Sequence, residues 1–354
     1  MESGALASTR ELMADDAQQV FSYYYEKGYT DGLPIVPPTE RRVGEMVAAS
    51  GRPSQRVIAH IPPANGAATV EKIAVNALMA GCLPEYMDVV ITAVEAMAAP
   101  EFKLEHVQTT TNPITPCIIL NGPVRKTLDV NCASGVMGPG WRANATIGRA
   151  IRLILLNIGG AVPGEVDKST QGFVGKYTLC IGENEEESPW SPLHVDRGFA
   201  PGDSTVTAIG VNASINLHDS SPGWADALHS LTLGLKVATA NNYTHPLAEP
   251  LIVLNPHHAR ILSEAGFTKE KLKEHFFQNA RIPLDWVTGW RQHARLGAVA
   301  GAAEYAHVGG FVPICWSPEK LIIVVAGGPQ GGHSCYLPTG VARAVTRKIS
   351  SNGS

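Results

Sequence analysis

The chain has 354 residues, of which 44% are hydrophobic and 17% charged, and its net charge is −4 with the histidines neutral. This balance excludes a disordered chain, and the lack of a basic stripe argues against nucleic-acid binding. The sequence begins without the basic and apolar regions of a secretory signal, and no apolar run approaches the roughly 20 residues that span a bilayer. We therefore expect a soluble, cytoplasmic protein with no membrane partner.

The N-terminal region predicts two helices joined by a turn. Apolar residues recur at helical spacing over residues 10–27, and two Pro–Gly clusters then exclude regular structure. Thr39 is placed to cap a second helix that runs through Ala48. Six scattered cysteines form no CxxC pair and no zinc-finger spacing, so buried free thiols are the simpler interpretation.

A helix-then-strand unit occurs twice. Residues 84–97 and 222–235 each begin with proline, an aromatic residue and aspartate at the same spacing, and continue as an apolar helix. Downstream, PCIILN (116–121) matches PLIVLN (250–255), and residues 318–328 are a weaker third copy. Strands of continuous Ile, Val and Leu are buried on both faces. The pattern predicts an α/β fold of layered mixed or parallel sheets, built from a duplicated helix-strand unit as two pseudo-symmetric halves.

An arginine-rich helix and an acidic loop separate the two copies. An apolar stripe over residues 140–158 is flanked by arginines, and a pair of glycines ends the helix. Residues 183–199 then form a polar loop with a run of glutamates and His194, and Thr268 caps a later helix with Leu272 and Phe276 facing inward. We divide the chain into residues 1–200, with the first copy, the helix and the acidic loop, and residues 201–354, with the second copy and a glycine-rich loop.

Polar residues follow both copies of the strand. In an open α/β sheet, ligands collect at the carboxyl ends of the strands. Asn121 and Arg125 would lie there in the first copy, and Arg125 could hold a carboxylate. His257 and His258 follow the second copy and suit proton transfer or metal binding, although adjacent side chains diverge and at most one would face a given site.

The segment VVAGGPQGGHSCYLPTG (324–340) is a second candidate site. It follows a predicted strand but matches neither nucleotide-binding glycine motif. The glycines could form a backbone nest for a carboxylate or carbonyl oxygen, with His333, Ser334 and Cys335 at its edge. A tight turn without a ligand is the equal alternative.

The glycines before the arginine-rich helix form a third candidate site. Arg142 and Asn144 lie in the first turn, where free N–H groups could bind an anion. The helix N-terminus would lower the pKa of the Cys132 thiol and make it a nucleophile. The alternative is that Cys132 is a buried apolar residue. A metal site is also possible, with the ligand set His194, Glu186, His257 and His258, although the spacing is not a known metal pattern.

Four stretches carry a resemblance to a known family: DGLPIVPPTERRV, ANATIGRAIRLILLNIGG, ENEEESPWSPLHVDRGF and VVAGGPQGGH. They resemble a family of uncharacterised bacterial proteins that occur beside, or fused to, small UGSC-type (seleno)proteins and are often labelled thiol-disulfide oxidoreductases. The resemblance extends from about residue 30 to residue 340 and implies thiol redox chemistry with a UGSC-type partner. The chain has no UGSC or CGSC tetrapeptide, so that partner would supply the second thiol and Cys132 or Cys335 the first.

We expect an enzyme that acts on a small polar metabolite with a carboxylate or carbonyl group, by acid–base chemistry of the lyase or hydrolase type. The alternatives are a metal-dependent enzyme, a thiol-redox enzyme, and a scaffold subunit for a UGSC-type partner; a homo-oligomer is compatible with each. The candidate substrate-binding residues are Asn121, Arg125, Arg142, Asn144, Gly327, Gly328, Gly331 and Gly332. The candidate catalytic residues are Cys132, His194, His333 and Ser334, with His258 as a further proton carrier.

Overall fold

The computed structural model describes residues 6–13, 15–243, 245, 248–286 and 310–350. The α-helices of these residues are α1 Ala17–Glu26, α2 Glu40–Ala49, α3 Val70–Ala80, α4 Met87–Met97, α5 Leu104–Thr109, α6 Val124–Thr127, α7 Arg142–Asn157, α8 Leu193–Asp196, α9 Trp224–Gly234, α10 Pro256–Glu264 and α11 Lys269–Asn279. The β-strands are β1 Val57–Ile61, β2 Gly66–Thr69, β3 Thr115–Asn121, β4 Cys180–Gly182, β5 Thr205–Val211, β6 Ile215–His218, β7 Leu251–Leu254, β8 Arg281–Pro283, β9 Phe311–Pro313, β10 Ile322–Val325, β11 His333–Leu337 and β12 Val345–Lys348. None of these helices has the length and apolar character to cross a membrane.

Local sequence signals account for several helix ends. The prediction that the first helix begins at residue 10 is wrong, because Asp16 accepts a hydrogen bond from the Gln19 amide and caps a helix that begins at Ala17. Thr39 occupies the cap position of α2, although its side chain makes no capping bond. Thr268 does cap α11 with its side chain, and Leu272 and Phe276 are fully buried, as predicted.

Two four-stranded mixed sheets form the centre of the molecule. The first has the strand order β12-β5-β3-β4, and the second has the order β10-β7-β11-β6. In each sheet one pair is parallel, β3 with β4 and β7 with β10, and the remaining pairs are antiparallel. The α/β class is therefore confirmed, and the two sheets share one strand arrangement; the duplication of the helix-strand unit stays a prediction.

The chain passes between the two sheets twice, and the first sheet is completed by strands from the second part of the chain. After β5 the chain leaves the first sheet and forms β6 in the second. After β11 it leaves the second sheet and forms β12 against β5 in the first. The first sheet thus takes two of its four strands from beyond residue 200.

The two sheets pack face to face between layers of helices. One apolar cluster joins Cys117 and Ile119 of β3 to Leu251 and Val253 of β7. The alternate residues of the same strands point outward: Ile118 contacts the cluster that contains α3, α4 and α7, and Ile252 contacts the cluster that contains α9, α10 and α11. Both faces of each sheet are covered, which explains why β3, β7 and β10 are continuous runs of apolar residues.

Candidate functional site

The carboxyl ends of the parallel strands of both sheets meet at one edge of the molecule. The Asn184 amide, just beyond β4, donates a hydrogen bond of 2.7 Å to the carbonyl of Val325, the last residue of β10. The Gly327 amide, just beyond β10, donates one of 2.9 Å to the carbonyl of Cys132. The acidic loop, the glycine-rich loop and the Cys132 segment are therefore neighbours, although they are far apart in the sequence.

Arg125 is the centre of a charge network at this edge. Its guanidinium contacts Glu186 through both terminal nitrogens, at 3.0 and 3.1 Å, and Glu185 Oε2 at 2.8 Å. It also donates to the Glu183 carbonyl at 2.7 Å and to the Gly122 carbonyl at 3.1 Å. Arg125 was predicted to bind the carboxylate of a ligand. In the structure its donors are already bonded to two glutamates of this chain.

Cys132 lies beside this guanidinium and is partly exposed. Arg125 Nη1 is 3.5 Å from the sulfur, and the thiol donates to the Val130 carbonyl at 3.3 Å. Burial raises the pKa of the Cys132 thiol, and the opposing effect of Arg125 does not overcome it. The expectation that a helix N-terminus lowers this pKa is therefore wrong: the charge that contacts the thiol comes from Arg125, and the resting form is the protonated thiol.

A buried polar group lies beneath the network. Asn121 Nδ2 donates to Glu183 Oε2 at 2.6 Å and to Glu185 Oε1 at 3.0 Å. Burial raises the pKa of Glu183, although Lys269 lies 3.8 Å away. Within the described residues, Asn121 Oδ1, Glu183 Oε1 and the Nδ1 atom of the fully buried His194 have no hydrogen-bond partner. His194 Nδ1 lies 3.9 Å from Glu185 Oε1, so it belongs to this buried group and not to the open surface.

An open cleft of about 330 Å³ lies on the outer side of the same edge. The acidic loop lines it with Glu186, the start of α10 with His257 and Arg260, and the glycine-rich loop with Pro329. Arg260 Nη2 lies 3.3 Å from His257 Nδ1, and the same guanidinium pairs with Glu264 at 3.2 Å. A carboxylate, an imidazole and a guanidinium thus face one small cavity.

The glycines of the glycine-rich loop permit close backbone packing. A Cβ atom on Gly328 would lie 2.1 Å from Ser134 Oγ, and one on Gly332 would lie 1.5 Å from the Asp219 carbonyl oxygen. Together with the Gly327 bond to Cys132, these contacts join the loop to both neighbouring segments. The predicted oxyanion nest formed by Gly327, Gly328, Gly331 and Gly332 stays a prediction.

Ser334 and His258 form a hydrogen-bonded pair in the interior. His258 Nδ1 is 2.8 Å from Ser334 Oγ, and His258 Nε2 is 3.0 Å from the Asp219 carbonyl. The carbonyl can only accept, so Nε2 carries a proton; burial lowers the pKa of His258, which leaves Nδ1 free to accept from the hydroxyl. Ser334 Oγ also accepts from the Asn255 amide at 3.1 Å. The pair joins β11 to α10.

Three further predicted residues lie away from the cleft. Arg142 donates to the Gly81 carbonyl at 3.0 Å. Asn144 is buried and bonds both the amide and the carbonyl of Asn131, at 2.8 and 3.0 Å, so it holds the segment that leads to Cys132. His333 is exposed at the start of β11, where its ring stacks on His218 with centroids 4.6 Å apart.

The proposed metal ligands are not brought together. Glu186 and His257 line the cleft, whereas His194 and His258 are buried in separate hydrogen-bonded groups. In the part of the chain that the structure describes, no three His, Cys, Asp or Glu side chains are spaced to hold a metal ion.

Lys269 is a residue of the buried group that the sequence gives no reason to choose. Its ammonium donates to Asp196 at 2.8 Å and to the Ser191 carbonyl at 2.6 Å, and its side chain is 3% exposed. In the sequence it is one of three lysines in a polar helix, a pattern typical of a solvent-exposed face. Only the tertiary fold indicates that this lysine faces buried Glu183.

No protein-family model and no curated protein matches this chain. The geometry of the edge where the strands converge is therefore the observation that bears on function.

Proposed function

We propose that the chain is an enzyme that acts on a small carboxylate or carbonyl metabolite by acid–base chemistry of the lyase or hydrolase type, in the cleft between the acidic loop and α10. The observation that carries the proposal is the position of Glu186, His257 and Arg260 around one cavity of about 330 Å³. This volume is at the lower end of the range for small-molecule sites. The cleft also lies where carboxyl ends of strands from both sheets converge, the usual place for a ligand in α/β proteins.

Each polar group of the cleft has a distinct role in this proposal. Arg260 is exposed and binds the substrate carboxylate, supported by the positive end of α10. A guanidinium can only donate, so His257 Nδ1 accepts in its 3.3 Å contact with Arg260 and Nε2 carries the proton. His257 can therefore transfer a proton to or from the bound substrate, a role that sequence reasoning gave to His333, His194 or His258.

Glu186 provides a fixed negative charge and not a proton. Hydrogen bonds from Arg125, and from Lys126, lower the pKa of this carboxylate to about 2, against the effect of its partial burial. It stays ionised at neutral pH and can accept a hydrogen bond from a substrate hydroxyl or a water molecule. In this proposal Glu186 thus holds a charge in the cleft, and His257 moves the proton.

Binding of a panel of small oxo acids, hydroxy acids and unsaturated acids, measured by isothermal titration calorimetry, tests the role of Arg260. We expect at least one acid to bind and Arg260→Gln to weaken it by about tenfold or more, since a charge-assisted hydrogen bond contributes about 1.5–3 kcal/mol. Arg41→Gln is the matched control, because Arg41 is also an exposed helical arginine paired with a glutamate four residues later. Equal binding by both variants would contradict the proposed role.

Thiol chemistry at Cys132 is the second candidate function. It is supported by the 3.5 Å contact between the Cys132 sulfur and Arg125, since a guanidinium can stabilise a thiolate that forms during a reaction. With a UGSC-type partner chain, as the family resemblance implies, Cys132 and the partner thiol would be oxidised to a disulfide between the two chains, while a low-molecular-weight disulfide is reduced to its two thiols.

Alkylation by iodoacetamide at neutral pH, followed by peptide mass spectrometry, distinguishes Cys132 from the other thiols. Burial raises the pKa of Cys335 to about 11 and those of Cys82, Cys117 and Cys315 to about 12. We expect Cys132 to react first if thiol chemistry is its role, and Cys132→Ser to remove the fast phase. Fast labelling of Cys335 with Cys132 unmodified would contradict this second candidate.

A further inference from the structure

A second and larger cavity lies against α7, away from the cleft. Its volume is about 670 Å³, well within the range of small-molecule sites. Its walls are the end of α1 with the segment that follows it (residues 25–31), the second half of α7 and the loop of residues 162–177, and it shares no lining residue with the cleft.

Three charged side chains meet at the inner end of this cavity. Asp167 is buried and accepts from Lys176 Nζ at 2.6 Å and from Ser169 Oγ at 2.7 Å. Arg152 Nη1 lies 3.6 Å from Asp167 Oδ2, too far for a hydrogen bond. Asp31, which also lines the cavity, is already neutralised by Arg149 through two contacts of 2.8 Å. The group therefore has two cations, Arg152 and Lys176, for one available carboxylate, a surplus of one positive charge.

Arg152 is the incompletely bonded member of this group. Its side chain is 13% exposed, and within the described residues its one hydrogen bond is a long contact of 3.4 Å to the Ala161 carbonyl. A guanidinium has five N–H donors, and the donors of Arg152 that have no partner among the described residues are open to the cavity that it lines. Partial burial lowers the pKa of Arg152, and the nearby Asp167 and Asp31 offset this effect only in part.

The remaining walls of the cavity are largely apolar. Leu156, Val162 and Phe173 line it, and the apolar Val174 and the aromatic Tyr177 stand at its rim, 78% and 51% exposed. Exposed apolar side chains beside a cavity are typical of a ligand-binding surface. The site thus combines an unsatisfied cation at its inner end with an apolar body and rim.

We propose that this cavity binds a monocarboxylate with an apolar or aromatic body, whose carboxylate accepts hydrogen bonds from Arg152 and Lys176. A carboxylate neutralises the surplus positive charge and supplies the acceptors that Arg152 lacks. The apolar part of the ligand covers Leu156, Phe173 and Val174. This binding site is separate from the cleft and does not depend on the function proposed there.

Isothermal titration calorimetry with phenylbutyrate, and with its neutral amide phenylbutyramide, tests the proposal on the full chain. We expect phenylbutyrate to bind at one site. The affinity of the amide should be lower by about tenfold or more, because the amide lacks the charge that Arg152 recognises. Arg152→Gln should reduce phenylbutyrate to the affinity of the amide, whereas Arg260→Gln should not change it. Equal binding of acid and amide, no binding, or a loss confined to Arg260→Gln would each overturn the proposal.

Variants of Gln171 keep the test decisive if Arg152→Gln does not fold. Gln171 is exposed and lines the cavity, so a change of charge there leaves the core intact. We expect phenylbutyrate affinity to rise in Gln171→Lys and to fall in Gln171→Glu, with the difference reduced at high salt and absent for the amide. An unchanged affinity for phenylbutyrate in both variants would overturn the proposal.

Discussion

Ser334 and His258 illustrate at the residue scale what sequence reasoning can and cannot find. Both were candidates for catalysis from their residue types, yet the structure pairs them in the interior, where His258 Nδ1 lies 2.8 Å from Ser334 Oγ. No sequence spacing indicates this contact, because the two residues are 76 positions apart and belong to different elements. His257, beside His258 in the sequence, lines the cleft instead, as expected for adjacent helical residues that diverge.

The buried pair makes stability depend on pH. Burial lowers the pKa of His258, so the folded protein keeps this imidazole neutral while the unfolded chain protonates it below about pH 6.5. The unfolded state then binds more protons, and the free energy of unfolding falls as the pH decreases from that value. Urea denaturation at neutral and mildly acidic pH should show this loss in the wild type and a smaller loss in His258→Gln.

His258→Gln should also be less stable at neutral pH, by about 1–3 kcal/mol, because buried hydrogen-bond partners lose their interactions. His257→Gln is the matched control, since its ring is not fully buried and its loss leaves the interior pair unchanged. An identical pH dependence in His258→Gln and the wild type would contradict the assignment of a neutral, buried His258.

At the element scale, the sequence predicts the strands that contain a continuous apolar run and misses those defined by pairing. β3, β7 and β10 are continuous apolar runs and were predicted, and α7 ends before the glycine pair as expected. β4 has three residues, and three of the four residues of β12 (VTRK) are polar, so neither carries a periodic signal. They are strands because neighbours far away in the sequence provide their hydrogen bonds.

Asn144 links α7 to the Cys132 segment and to β4. It accepts from the Asn131 amide at 2.8 Å and donates to the Asn131 and Cys180 carbonyls at 3.0 and 3.1 Å. We expect Asn144→Ala to lower the free energy of unfolding by about 2–4 kcal/mol in urea denaturation, since it leaves buried backbone groups without partners. Asn157→Ala, at the less buried end of the same helix, should cost less; an equal or smaller loss in Asn144→Ala would contradict this role.

At the scale of the whole molecule, two strands from beyond residue 200 complete the first sheet and unite the two parts of the chain. The sequence division at residue 200 follows the two copies of the repeat, but β5 and β12 of the first sheet both lie beyond it. A sequence pattern does not reveal this pairing, because strand order depends on long-range contacts and not on local periodicity.

We therefore expect a fragment of residues 1–200 not to fold by itself. It would lack two of the four strands of its sheet and the strands that cover the inner face of β3. Circular dichroism and urea denaturation should show no cooperative unfolding of the fragment, whereas the full chain unfolds cooperatively under the same conditions. A fragment with a sharp unfolding transition would indicate that this part of the chain is an independent domain.

The most direct test of the proposed active site is turnover of the small-carboxylate panel by the wild type and His257→Gln, followed by mass spectrometry. We predict time-dependent conversion of at least one acid by the wild type, with kcat lowered by about 100-fold or more in His257→Gln, the usual contribution of a positioned acid–base group. Arg41→Gln should retain the wild-type rate. Conversion at the same rate by His257→Gln, or no conversion of any acid by the wild type, would contradict the assignment of the cleft as the active site.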